Sequence, residues 1–314
     1  MTDSGYSQMR PSFQFLLFIA VTLVTLLVGA LIGMGVVALI YGTDTVLNIG
    51  QLNINTPAEI SGLWVMQFVS TTLPILVIPV FYAYVVVKEP QPYLKLTTKF
   101  SPQLLVLVFF IMFMSMPIME QLSNINERLV LPPFLKGVED WMRAAEHQAE
   151  KATNILLKMD NVWDLIKAVL FVGGLTALVE ELMFRGVLQT IFIRWTQNPH
   201  AAIWITAALF SAFHMEFFGF LPRLMLGIFF GYFVYWSGSI WTSVWAHFVN
   251  NGTAVVITYL YQHKTIKVSP DDTHVFSLVG YVFSIIITVL LLINYRNIAL
   301  AARSNITSDG TELD

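Results

Sequence analysis

Three stretches of this 314-residue chain carry side chains that could do chemistry: "EELMFR" at 180–185, "FSAFH" at 210–214 and "HFVNN" at 247–251. Each sits in a long apolar run, where an ionisable side chain is costly and marks function by default. Glu181 and Arg185 are four residues apart with the acid first, the favourable order for an ion pair along a helix. Pairing would neutralise two charges otherwise stranded in lipid. Glu180 is turned by about 100° from Glu181 and is left without that partner. His247 and Asn251 share a helix face at the same spacing, as do Phe210 and His214. A carboxylate and an imidazole that meet can polarise one water molecule, with the acid as general base. A second imidazole and an amide can donate hydrogen bonds to a developing oxyanion. That inventory suffices to hydrolyse an amide. Glu180, His214 and His247 could also hold a zinc ion with one open position. The HExxH arrangement of soluble zinc proteases is absent. With no cysteine in the chain, disulfides, thiolate metal sites and a thiol nucleophile are excluded.

The elements that must position these groups are membrane helices. The chain is 56% hydrophobic and only 12% charged, against about 25% charged for a soluble domain. A membrane-spanning helix needs about 20 apolar residues. Eight candidates meet or approach this: 13–41, 63–87, 103–122, 162–194, 200–219, 222–237, 239–260 and 275–295. The fold expected is therefore an all-α polytopic bundle of about eight spans. Pro222 fits the first turn of the sixth. Lys88, Lys95 and Lys99, Arg194, and Arg296 with Arg303 mark cytoplasmic loops, so both termini are expected inside. The segment 123–161, with a helix over 137–159, then falls outside. Glu180 lies fourteen residues before Arg194 and His214 fourteen past His200, so each is roughly 20 Å from the inner surface. His247 and Asn251 fall about 12–18 Å in by the same rise. The four groups can share one layer, in a site expected to open to the cytoplasm.

The three motifs fit EExxxR, FxxxH and HxxxN, in that order and each on its own apolar segment. In this the chain resembles the CPBP family of intramembrane proteases, which includes the CAAX prenyl endopeptidases and many bacterial Abi proteins. The resemblance covers roughly 160–255. It implies a division into 1–160 (three spans and an extramembrane helix), 161–260 (a four-span catalytic core) and 261–314 (a last span and a polar tail). It implies that Glu180 is the catalytic carboxylate and that His214 helps to activate water. His247 and Asn251 would stabilise the oxyanion. Glu181 and Arg185 would support them, and Phe210 would shape the pocket. The family has been read both as zinc proteases and as metal-independent glutamate proteases, and the residues leave both open. The substrate implied is a membrane-associated protein or peptide, with a prenylated CAAX-like chain as one option. The setting expected is a bacterial inner membrane.

Two other classes compete. The same fold could serve as a non-catalytic scaffold or an immunity-type protein. A proton-coupled transporter would call for inverted repeats, and none is seen. With a net charge of −3, nothing points to nucleic acid. The Gly29/Gly33 and Gly227/Gly231 spacings read as close helix packing within one chain rather than as a dimer face. His147, His200, His263 and His274 read as solvated. Glu216 reads as interfacial, and Asn250 as packing away from Asn251. Tyr41, Trp195, Trp236, Trp241 and Tyr295 read as interface anchors. The tail after Arg303 reads as disordered.

Overall fold

Apolar runs without enough polar partners for a sheet edge fold into helices, which satisfy their own backbone in lipid. The structure is a computed structural model that describes residues 9–270, 272 and 275–308. Among these, every regular element is helical. In chain order those of eight residues or more are α1 (Pro11–Tyr41), α2 (Thr43–Gly50), α3 (Pro57–Val87), α4 (Gln103–Met114), α5 (Met116–Glu127), α6 (Lys136–Leu156), α7 (Val162–Thr196), α8 (Pro199–Phe213), α9 (Phe220–Ser237), α10 (Ile240–Gln262) and α11 (Leu278–Ser308). Residues 1–8, His274 and the tail from 309 lie outside the described residues, whereas Ser304–Ser308, expected to be disordered, continue α11.

Five of these helices are long and apolar enough to cross a membrane, and α4 with α5 makes a sixth if the pair counts as one span. The chain is thus an integral membrane protein. Two of the eight expected spans do not meet that measure. One is α8, which is only 15 residues long. The other is α10, which has the length but carries His247, Asn250 and Asn251 within it. The third expected span is bent by 43° at Ser115, where Pro117 interrupts the helical hydrogen bonding. Large apolar side chains of α1 and α11, such as Leu23, Leu27, Val279 and Leu290, face outward, as a lipid-facing surface requires.

Contacts fix which helix ends lie together. Arg194 at the end of α7 donates to Gln14 near the start of α1. Arg303 of α11 reaches Tyr235 near the end of α9. The 95–97 segment bonds Ser239, Ile240 and Trp241 at the start of α10. At the opposite end Gln262 bonds Leu157 and Met159, and Glu120 bonds Val275 and Phe276. Both described chain ends therefore lie at one end of the bundle, as an even number of crossings requires. Basic residues do not orient it. Arg10, Lys88, Lys95, Lys99, Arg194, Arg296 and Arg303 stand at one end; Arg128, Lys136, Arg143, Lys151, Lys158, Lys264 and Lys267 stand at the other. Basic residues thus stand at both ends, and their positions do not decide which end faces the cytoplasm.

The small-residue pairs are intrachain packing points. A Cβ at Gly227 would lie 2.9 Å from the Ala207 Cβ, and one at Gly231 2.8 Å from Ile203. Gly29 and Gly33 meet Pro74 and Ser70 in the same way. Tyr295, expected at an interface, is fully buried and donates to the Phe233 carbonyl at 3.1 Å.

Two outcomes follow. Gly227→Val should force α8 and α9 apart and cost about 1–3 kcal/mol, read as a lower unfolding temperature in detergent. Gly35→Ala, with nothing within 4 Å of the new Cβ, should leave it unchanged or slightly raised. Lys95 gives the second. Its Nζ donates to Thr190 Oγ1 at 2.6 Å, and burial pushes the ammonium down from 10.5 to about 8. Folding thus disfavours the charged form: its contribution is fully present above 10.5 and is lost as pH falls through about 8. Between those values the wild type should gain thermal stability with rising pH more steeply than Lys95→Met.

Candidate active site

The site begins with α7, which does not run as one regular helix. Wide π-helical turns occupy Val169–Leu175 and Leu182–Leu188, on either side of Thr176–Glu181. Such turns are rare and recur at functional sites. Between them Glu180 and Glu181 point in different directions. Glu181 faces the core. Its Oε1 receives Arg185 NH1 at 2.8 Å and His247 Nδ1 at 2.9 Å, and its Oε2 receives the Ser243 hydroxyl. Arg185 is fully buried; its NH2 donates to the Gly227 carbonyl at 3.2 Å. The guanidinium carbon lies 4.4, 5.3 and 5.8 Å from the ring centres of Phe210, Phe230 and Phe184. Three aromatic faces and a carboxylate thus offset its desolvation.

Glu180 faces a cavity. Its Oε2 is buried and has no hydrogen-bond partner. His214 Nε2 lies 3.8 Å from it and His247 Nε2 3.9 Å. Both imidazoles are oriented from behind. His247 is held by Glu181 and stacks on Phe230 at 5.0 Å. His214 Nδ1 bonds the Phe210 carbonyl at 2.9 Å, so each ring turns Nε2 toward Glu180. Phe210 lies edge-on to both rings, at 4.9 and 5.8 Å. Asn251 lines the same cavity; its Nδ2 reaches the Val172 carbonyl at 3.4 Å, and its Oδ1 accepts from Asn250 at 3.1 Å.

The four expected site residues and the three supporting ones are therefore together. Three expectations need correction. Asn250 does not pack elsewhere: it lines the cavity and bonds Asn251, because adjacent residues on a helix that faces a wide cavity both border it. The fifth expected span, 200–219, breaks at His214. Met215 has φ 56°, a left-handed conformation that ends the helix inside the bundle and leaves His214 at its tip. The zinc set of Glu180, His214 and His247 is not supported. Among the described residues no three His, Asp or Glu side chains are placed to hold a metal ion, and both Nε2 atoms face a single carboxylate oxygen.

Sequence reasoning missed Ser243 and Arg223. Ser243 sits four residues before His247, one turn along the same face, and that spacing could have shown it. Arg223 pairs with Glu216 and holds the Glu216 carbonyl at 3.2 Å, bracing the loop after His214. Asn126 of α5 braces it too, bonding the Phe217 carbonyl at 2.8 Å and the Leu221 amide at 2.7 Å. No short-range pattern connects Asn126 to that loop. His147, His200 and His263 are exposed, as expected.

The cavity is about 1040 Å³. Glu180, His214, His247 and Asn251 form one wall; Trp64 and Phe68 of α3 with Phe171 of α7 form an apolar one. Ala149, Ala152 and Leu156 of α6 also border it. Its lining therefore extends to the α6 end of the bundle, opposite Lys95 and Arg194.

Removing one partner of a buried ion pair strands the other charge. Arg185→Met should thus lower stability by about 3–5 kcal/mol, and adding Glu181→Gln should recover part of it. Equal unfolding temperatures for the single and double variants would contradict the pairing.

Residues 162–253 match the family model described as "Type II CAAX prenyl endopeptidase Rce1-like". The protein YpbD of Bacillus subtilis (strain 168) is similar, at 28% identity over 88 residues. That segment is 27% of this chain and 42% of YpbD, so the match spans less than half of the relative. No solved structure matches the chain. The matched residues supply Glu180, Glu181, Arg185, His214, His247 and Asn251, and they make up a domain of the Rce1-like type II CAAX prenyl endopeptidase family.

Proposed function

We propose that the protein is an intramembrane endopeptidase that hydrolyses a peptide bond of a membrane-associated polypeptide. The observation that carries this reading is the unpartnered, buried Oε2 of Glu180 facing the Nε2 atoms of His214 and His247 at 3.8 and 3.9 Å. These separations exceed a direct hydrogen bond and suit groups that act together on one small molecule between them.

In its neutral form His214 spends its Nδ1 proton on the Phe210 carbonyl, so its Nε2 carries a lone pair. A water molecule donating one proton to Glu180 and one to that nitrogen presents its own lone pair for attack. Its oxygen bonds the scissile carbonyl carbon, and its proton passes to the Glu180–His214 pair. The carbonyl oxygen takes up the negative charge. Asn251 has a second amide N–H to offer it. His247 can donate from Nε2 only as an imidazolium, because its Nδ1 proton is engaged by Glu181. When the C–N bond breaks, the proton held by the pair goes to the leaving nitrogen. Glu181 and Arg185 stay out of these steps and hold His247.

The apolar wall of Trp64, Phe68 and Phe171 suits a substrate whose flanking part is lipid-like or membrane-embedded, and prenylated chains belong to that class. We place the protein in a bacterial plasma membrane.

The reading is tested with purified protein in proteoliposomes, given membrane-anchored peptides bearing a fluorophore and quencher across varied sequences. Wild type should cleave a subset and Glu180→Gln none. Asn251→Ala should lower kcat by about 10²–10³ with little change in KM. Cleavage by Glu180→Gln at the wild-type rate would contradict the role given to Glu180, and no cleavage by the folded wild type across the set would turn the reading to a non-catalytic scaffold.

A further inference from the structure

The family match begins at residue 162 and leaves α6 unexplained. This helix carries one apolar stripe along its whole length: Phe134 in the turn before it, then Val138, Trp141, Ala145, Ala149, Ala152 and Leu156. The steps of three and four residues keep all seven on one face. The second half of that face is accounted for, since Ala149, Ala152 and Leu156 border the cavity. The middle is pinned to the loop after His214. Trp141 meets Phe217 at 5.5 Å, Arg143 lies 4.2 Å over Phe218, and Glu146 accepts from the Phe218 amide at 3.1 Å.

The first half overhangs. Phe134 is 83% exposed, Val138 45% and Trp141 53%. A stripe on a straight helix keeps its direction, so these side chains point the way Ala149 and Leu156 do, toward the bundle end and the bilayer plane. Val130, 75% exposed, and Leu129 extend the patch in the segment that leaves α5 at that same end. Five large apolar side chains together are more than a scattering on a water-facing surface. They continue a lipid-facing surface already present on the spans. The charges around them balance. Arg128, Lys136, Arg143 and Lys151 face Glu139, Asp140, Glu146 and Glu150, and two ion pairs form, Lys136–Asp140 and Arg143–Glu139. An attraction to anionic headgroups is therefore not what holds this patch.

We propose that Leu129, Val130, Phe134, Val138 and Trp141 insert into the lipid leaflet at the end of the bundle where α6 borders the cavity. On this account α6 is a membrane-surface helix that rests with one half on the protein and the other on lipid. Trp141, at the join, sits where an amphipathic ring is favoured. The inference stands on the membrane-protein reading and not on proteolysis.

Because the chain has no cysteine, single cysteines can be spin-labelled without background. Val130→Cys and Phe134→Cys replace exposed side chains, and Asp140→Cys on the polar face is the control. In proteoliposomes of phosphatidylcholine, labels at 130 and 134 should collide with lipid-soluble oxygen more than with a water-soluble nickel chelate. The label at 140 should show the reverse. The same ranking should hold with phosphatidylglycerol added. Nickel access at 134 matching that at 140 would overturn the proposal by placing the patch in water. A label shielded from both reagents, with spin–spin broadening between copies, would overturn it in favour of a second chain. Oxygen preference only when phosphatidylglycerol is present would overturn it in favour of headgroup charge.

Discussion

One buried carboxylate organises the site. Glu181 lies where water does not reach, so its charge is tolerable only with every lone pair engaged. It draws Arg185 from its own helix, and His247 and Ser243 from α10. Arg185 then reaches the Gly227 carbonyl of α9, which is accessible because Gly227 lets α8 and α9 meet backbone to side chain. Phe184, Phe210 and Phe230 close around the guanidinium, and two of these rings also flank the imidazoles. From this single constraint follow the packing of α7 against α8, α9 and α10 and the tautomer and direction of His247. Glu180 is left as the one carboxylate of the cluster aimed into open space.

Much of this was legible in the sequence because the rules involved are short-ranged. Glu181 with Arg185, Phe210 with His214 and His247 with Asn251 are all four apart, and helical periodicity alone places each pair on one face. Apolar run lengths found most spans, and the small-residue pairs were rightly read as packing within the chain. What failed depends on contacts far apart in sequence. Arg223 and Asn126 act on a loop that stops α8 at Phe213, and hydropathy ran straight through that stop. Tyr295 reads as an interface residue because it lies near a span end; it is buried since α11 lies against Phe233. Orientation is not legible for another reason: basic residues stand at both ends of the bundle, those of 123–161 opposite Arg194, so their positions do not pick out the inner side.

The cavity shows how the site and its surroundings divide the work. Polar groups on α7, α8 and α10 form one wall, and α3 supplies an apolar one that the family domain does not contain. The segment between α5 and α7 adds a border that reaches from the loop after His214 along the cavity. Residues outside the matched region thus shape the surroundings of Glu180, while those inside it supply its polar neighbours.

The central claim is that Glu180, with His214 and His247, cuts peptide bonds in the membrane. Its most direct test is a comparison of new protein N-termini in membranes from cells expressing the wild type or Glu180→Gln at matched levels. The account predicts termini that appear only with the wild type, clustered in membrane-associated proteins. Identical sets of termini, with the variant folded and fully replacing the wild type in the cell, would contradict it.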